Sequence, residues 1–79
     1  MDDSTLIAEL RDCRYALLVT GAADPDLIER GVVALTSPDE RSAAVVAELE
    51  AAAHTVGFTD TTSSEQISRF AAAIRERLA

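Results

Sequence analysis

The fold of this protein is decided by residues 37–57, which read SPDERSAAVVAELEAAAHTVG. Ser37 and Glu40 match the capping box, in which the serine hydroxyl accepts from the Glu40 amide and the glutamate side chain returns to the serine amide. The apolar residues that follow recur at helical spacing, and Gly57 is suited to end a helix with a positive φ. We therefore predict a helix over 37–55. Its buried side comprises Val45, Leu49, Ala52 and Val56.

A longer helix is predicted nearer the N-terminus, over 4–19. Asp2, Asp3 or Ser4 is suited to begin it as an N-cap, and Gly21 is suited to end it. Apolar residues at steps of three and four predict one buried stripe along this helix. The stripe comprises Leu6, Leu10, Cys13 and Leu17.

A shorter helix is predicted over 24–35. Asp24 suits the N-cap, and Pro25 suits the first helical position because that position needs no amide hydrogen. Gly31 weakens this helix by about 1 kcal/mol relative to alanine, and it marks a point where the helix could end early. The residues expected to face inward are Leu27, Ile28 and Leu35.

The last helix is predicted over 63–78, after a polar loop at 57–63. Thr62 with Glu65, and Ser63 with Gln66, both fit the reciprocal capping pattern, so Thr62 or Ser63 is the expected N-cap. The spacing of the apolar residues again predicts a single buried stripe. This stripe comprises Ile67, Phe70, Ile74 and Leu78.

These elements predict an all-α protein, a compact four-helix bundle forming a single helical domain over 1–79. The alternative is that 15–20 and 31–35 are short strands, because periodicity alone cannot assign their apolar runs. With 15 alanines and three aromatic residues in 79, the expected core is small. We therefore expect either another protein or a second copy of the chain, in a homo-oligomer, to add buried area.

Charge is distributed unevenly along the chain, whose net charge is −7. Residues 1–50 contain eleven acids and four arginines, whereas 51–79 contain three of each. Such a surface repels nucleic acids and anionic membranes, and only Arg69, Arg75 and Arg77 offer a basic stripe. No apolar run approaches the roughly 20 residues of a membrane span, and a lone cysteine suits a reducing compartment. We expect a cytoplasmic protein that binds neither nucleic acid nor membrane.

No combination of residues indicates catalysis or a metal site. His54 is the sole histidine and Cys13 the sole cysteine, and no third group is evident that would orient them as a nucleophile and base. The acids at 24, 26 and 29 lack the ligand spacing of a calcium-binding loop. We therefore expect neither enzymatic activity nor a metal, and no cofactor in the leading interpretation.

Residues 24–31 read DPDLIERG, an acidic stretch that ends in glycine. This stretch resembles the lead-in to the attachment serine of acyl and peptidyl carrier proteins, and the order of helices is similar over nearly the whole chain. The resemblance implies a helical bundle that carries a phosphopantetheine arm on a serine. Ser37 and Ser42 are the candidate attachment sites. The sequence departs from the family at 33–35, where VAL replaces the expected attachment motif, and at Pro38 and Arg41, which adjoin the two serines.

We expect this chain to be a small acidic module that binds another protein with a basic surface, acting as an accessory subunit, a regulator or an antitoxin- or immunity-type neutraliser. Exposed acids attract a cationic partner and raise the association rate. Apolar residues near Val32, Val33 and Leu35 would supply affinity. The alternative function is that of a carrier presenting a thioester to partner enzymes. The acids expected to bind the partner are Asp24, Asp26, Glu29, Asp39 and Glu40, with Glu48 and Glu50 adding to the field.

Overall fold

All the regular elements in residues 3–79, which the computed structural model describes, are α-helices. No strand occurs in this part of the chain, so the all-α prediction is confirmed and the strand alternative at 15–20 and 31–35 is wrong. None of these helices is both long and apolar enough to cross a membrane. The helices are α1 (Asp3–Asp12), α2 (Arg14–Thr20), α3 (Asp26–Thr36), α4 (Ser42–Val56) and α5 (Thr61–Leu78).

Helices α1 and α2 together occupy the predicted helix 4–19, with an interruption at Cys13. The Cys13 amide donates to the Leu10 carbonyl at 3.0 Å, three residues back, so the chain tightens by a 3₁₀-type turn at this point. Gly21 then ends α2 with a φ of +66°, as the sequence predicts. Asp2, one of the predicted caps of this helix, lies outside the described residues.

The hydrophobic core is organised around α5, against which α4 packs most extensively. Three members of the predicted α5 stripe are fully buried, namely Ile67, Phe70 and Ile74, whereas Leu78 is 40% exposed and lies outside the core. The predicted stripes of the other two long segments are also buried, which confirms their periodicity. Those residues are Leu6, Leu10, Cys13 and Leu17 in the first segment, and Val45, Leu49, Ala52 and Val56 in α4.

Helix α3 does not end at Gly31 but continues to Thr36. A Cβ atom at Gly31 would lie 3.2 Å from Leu10 Cδ2 and 3.4 Å from Phe70 Cε1, so glycine permits α3 to approach the core closely here. Asp24 acts as the predicted cap, because its Oδ1 accepts from the Asp26 amide at 3.0 Å. The inward-facing residues of this helix are Leu27, Ile28 and Leu35, as predicted.

Helix α4 begins at Ser42, five residues after the predicted start at Ser37. The Ser37 amide donates to the Val33 carbonyl at 2.8 Å, which makes Ser37 the C-cap of α3. Asp39 takes over the capping role: its Oδ1 accepts from the Arg41 amide at 2.8 Å, and its own amide donates to Ser42 Oγ at 3.0 Å. The predicted capping pair of Ser37 and Glu40 is therefore wrong.

The connection from α4 to α5 is shorter than the predicted loop 57–63. Gly57 has a φ of −60°, so the predicted positive φ is wrong; its missing side chain instead leaves room for Ser64 Oγ, which would lie 3.1 Å from a Cβ. Asp60, rather than Thr62 or Ser63, is the N-cap of α5. Its two carboxylate oxygens accept from the Ser63 amide at 3.0 Å and the Ser63 hydroxyl at 2.8 Å.

Candidate functional site

A groove of about 450 Å³ lies between α3 and α4. Ala34 of α3 and Ala44 of α4 contribute small apolar side chains to its lining. Val45 contributes to the apolar lining, and Val33 stands at the side with 60% of its surface exposed. The charged and polar residues of the lining are Glu29, Arg30, Ser37, Asp39, Arg41, Ser42 and Glu48.

Charged side chains surround the apolar part of this groove. Arg30 of α3 and Glu48 of α4 form an ion pair at 2.5 Å, in which both side chains are about half exposed. Such exposed pairs contribute little to stability, so they can exchange partners at low cost. Glu29 pairs with Arg11 at a looser 3.5 Å, and Asp39 forms no ion pair within residues 3–79.

The structure brings together part of the predicted partner-binding set. Glu29, Val33 and Asp39 all line the groove. Glu40 is exposed in the turn before α4, next to Asp39, but is not in the lining. One partner could contact Glu29, Val33 and Asp39 in the groove together with Glu40 in the adjacent turn.

The rest of the predicted set lies elsewhere. Asp24 and Asp26 are exposed at the start of α3, whereas the groove extends toward the end of that helix. Val32 is partly buried and packs against the core. Leu35 is fully buried, so the prediction that it adds to an exposed apolar surface is wrong.

The two candidate attachment serines differ in accessibility. Ser37 is exposed and lines the groove at the end of α3. Ser42 is 1% exposed, and its Oγ accepts the Asp39 amide. The hydroxyl of Ser42 is therefore enclosed by the fold, and Ser37 is the accessible serine of the pair.

Cys13 and His54 lie in different environments and make no contact with each other. The Cys13 thiol is buried and donates to Gln66 Oε1 at 3.4 Å, and burial raises the pKa of this thiol. His54 is exposed and contacts the Phe58 ring edge-on, with ring centroids 5.3 Å apart. Within residues 3–79 no cluster of three or more His, Cys, Asp or Glu could hold a metal ion.

The three arginines of α5 are all engaged in ion pairs with other helices. Arg69 pairs with Glu9, Arg75 with Glu50, and Arg77 with Asp3. Arg77 also donates to the Leu35 carbonyl at 2.6 Å. The basic stripe that the sequence offered is therefore compensated by acids from α1 and α4.

The groove itself does not follow from the sequence. Ala34 and Ala44 line the groove, yet alanine is common in the helices of this chain, so its presence does not indicate a groove. Arg30 and Arg41 were also missed as lining residues, because their place depends on how α3 crosses α4. The sequence pattern could have indicated only that Val33 lies outside the inward stripe of α3.

Comparisons with known proteins identified no relative: no family model, no curated protein and no solved structure matches this chain.

Proposed function

We propose that this protein binds another protein, and that the groove between α3 and α4 receives a basic amphipathic segment of that partner. The observation that carries the proposal is Val33, a large apolar side chain that is 60% exposed at the side of an apolar groove. Burying such a side chain together with the alanine lining is favourable by about 25 cal/mol for each Å² removed from water. The groove supplies the affinity.

Uncompensated acids supply the preference for a cationic partner. Within residues 3–79, Asp24 and Asp26 at the start of α3, and Asp39 and Glu40 before α4, form no ion pair. The chain as a whole carries a net charge of −7. A field of one sign raises the rate at which oppositely charged proteins meet more than it raises final affinity.

The groove is suited to a helical or extended segment with one apolar side and basic residues at its margins. The apolar side would lie against Val33 and Val45, while lysines or arginines would meet Asp39 and Glu29 at the margin. The charged lining still presents net negative charge to the partner, because three acids outnumber two arginines in it: Glu29, Asp39 and Glu48 against Arg30 and Arg41. An accessory subunit, a regulator and a neutraliser of a basic protein all fit this description.

A pair of designed peptides tests this proposal. The first is an amphipathic helix with leucines on one side and lysines on the other, and the second has glutamates in place of the lysines. We expect the basic peptide to bind and the acidic peptide not to bind, with affinity for the basic peptide falling as the salt concentration rises. Binding is measured by isothermal titration calorimetry on the full chain.

Matched variants locate the peptide. Val33→Gln should weaken binding about tenfold, because it removes the apolar contact without changing charge. Val19→Gln changes an exposed valine on α2 and should leave peptide binding unchanged. Equal affinity for both peptides, or binding that is insensitive to salt, would refute the proposed preference for a cationic partner. Insensitivity to Val33→Gln would refute the groove.

A carrier-like function is the second candidate, and the accessibility of Ser37 favours it. This serine lies at an apolar groove in which an attached acyl group could rest. Incubation with a phosphopantetheinyl transferase and coenzyme A, followed by intact mass measurement, tests the idea directly. A mass gain that disappears in Ser37→Ala supports a carrier, whereas an unchanged mass excludes a working arm.

A further inference from the structure

Helix α2 presents an apolar face to solvent on the side opposite its core contacts. Ala16 and Leu17 are buried, whereas Tyr15, Leu18 and Val19 are 77%, 53% and 64% exposed. Positions three and four apart on a helix are neighbours, so these three side chains form one patch, the α2 face. Single exposed apolar residues are ordinary in proteins, but three large ones within seven residues indicate a contact surface.

The charge around the α2 face distinguishes it from the rest of the molecule. Residues 14–23 contain no acid and one arginine, in a chain whose net charge is −7. Arg14 lines a shallow pocket with Arg11, Asp26 and Glu29, two positive and two negative residues whose charges cancel. A cationic partner gains nothing from such a surface.

We infer that a second copy of this chain binds at the α2 face. Two copies that each carry seven negative charges repel each other, and this repulsion is smallest where the local charge is closest to zero. The α2 face meets this condition, whereas the acids before α3 and α4 do not. The contact would also enlarge a core that is small for an independent domain.

A two-fold axis through the α2 face gives the simplest arrangement. In such an interface both copies use the same surface, so α2 crosses its counterpart in an antiparallel sense. Tyr15 of one copy then lies near Val19 of the other, with Leu18 close to the axis. The two Arg14 side chains lie at opposite ends of the contact, where they do not repel each other.

Sedimentation equilibrium of the full chain tests this inference. The monomer mass is 8.4 kDa, so a dimer is readily distinguished. The patch is smaller than the roughly 800 Å² per partner of a standard interface, and we expect a dissociation constant on the order of 10 to 100 μM. Raising the salt from about 0.05 M to about 0.5 M should strengthen association, because it screens the repulsion.

Three variants make the assignment specific. Leu18→Gln and Val19→Gln alter exposed side chains, so the helical fold should be retained, which circular dichroism checks. Each variant should weaken association at least about tenfold. Val33→Gln, in the groove between α3 and α4, should leave it unchanged. Two contrasts separate self-association from binding of the basic peptide. Added salt should strengthen self-association and weaken peptide binding. Val19→Gln should weaken only self-association, and Val33→Gln only peptide binding.

Two results would overturn the inference. One is a monomer at every protein concentration up to about 1 mM, well above the expected dissociation constant. The other is a dimer that persists in both α2 variants, or that dissociates with Val33→Gln, which would place the interface at the groove instead.

Discussion

Asp39 and Ser42 cap each other at the start of α4. The Asp39 amide donates to Ser42 Oγ at 3.0 Å, and the Ser42 amide donates to the Asp39 carbonyl at 3.1 Å. Only the Ser42 side chain plays its part of a capping box, because the Ser42 amide donates to the main-chain carbonyl of Asp39 and not to its carboxylate. The pair lies two residues after Ser37 and Glu40, which have the sequence form of a capping box. The Ser37 amide already donates to the Val33 carbonyl in the last turn of α3, so it does not donate to the Glu40 side chain.

Replacement of the observed cap should therefore cost stability, and replacement of the predicted one should not. Asp39→Ala removes the acceptor of the Arg41 amide and should lower the free energy of unfolding by about 1 kcal/mol. Ser37→Ala and Glu40→Gln should change it by less than about 0.5 kcal/mol. Urea unfolding followed by circular dichroism measures all three. A loss in Ser37→Ala as large as that in Asp39→Ala would contradict the observed cap.

Gly31 should resist the stabilisation that glycine replacement usually brings to a helix. Gly31→Ala gains about 1 kcal/mol of helix propensity, but its Cβ would press on Leu10 and Phe70 at the centre of the core. Overpacking of this kind costs about 1 to 3 kcal/mol, so we expect the net effect to lie between no change and a loss of about 2 kcal/mol. Gly31→Val, with a larger side chain, should be worse.

The control for Gly31 is an exposed helical alanine, Ala47, where the reverse change involves propensity alone. Ala47→Gly should cost about 1 kcal/mol in the same urea measurement. If Gly31→Ala raised the free energy of unfolding by this full amount, the close approach of α3 to Leu10 would be refuted.

The buried thiol of Cys13 should react with a disulfide reagent only when the protein opens. Burial raises its pKa, so little thiolate is present near neutral pH, and the sulfur is inaccessible in the fold. We expect labelling of the native chain to be at least about a hundredfold slower than in denaturant, with a rate that rises as urea is added. Ala47→Cys, at an exposed helical position, serves as the fast-reacting control. Labelling of Cys13 as fast as that of this control would be incompatible with the observed burial.

The raised pKa of Cys13 also predicts a loss of stability at alkaline pH. The unfolded chain ionises its thiol near the ordinary value of 9.0, while the folded chain keeps the proton to higher pH. The contribution of this thiol is therefore complete below that value and is lost as pH rises through the folded pKa. Urea midpoints of the wild type should fall faster above about pH 9 than those of Cys13→Ala.

The cap of α5 should make stability sensitive to acid. The Ser63 amide and then the Ser63 hydroxyl hold the pKa of Asp60 below its ordinary value of 3.8. A lowered folded pKa contributes stability that is present above the unfolded value and is lost as pH falls through the folded one. Urea midpoints between about pH 6 and about pH 2 should therefore decline less in Asp60→Asn than in the wild type.

Asparagine also caps helices, which keeps the Asp60 variant folded at neutral pH. Glu65→Gln is the control, because Glu65 is exposed and accepts no hydrogen bond within residues 3–79. An acid response of Asp60→Asn that equals the wild type's would show that this carboxylate is not held by Ser63.

Part of the candidate site follows from sequence, and part does not. The acids could be identified from the sequence, but the three apolar residues predicted beside them could not be told apart, since Val33 is exposed, Val32 is partly buried and Leu35 is fully buried. The groove could not be predicted from the sequence, since it depends on how α3 and α4 pack against each other. The apolar face of α2 does not follow from the sequence either, because the apolar run at 16–19 does not show that Leu18 and Val19 face solvent while Leu17 is buried.

Apolar periodicity along the chain predicted the all-α class and most of the buried residues, because a helix buries one side. It left 15–20 and 31–35 open between helix and strand, and the tertiary structure decided those two runs. The points at which helices begin, by contrast, depend on competition for backbone amides. Ser37 has the spacing to Glu40 that suits the start of α4, yet it ends α3, and Asp60 caps α5 in place of Thr62. The tertiary structure alone decided that α3 packs against Leu10 and Phe70 through Gly31, because this contact joins residues far apart in sequence and no short-range pattern encodes it.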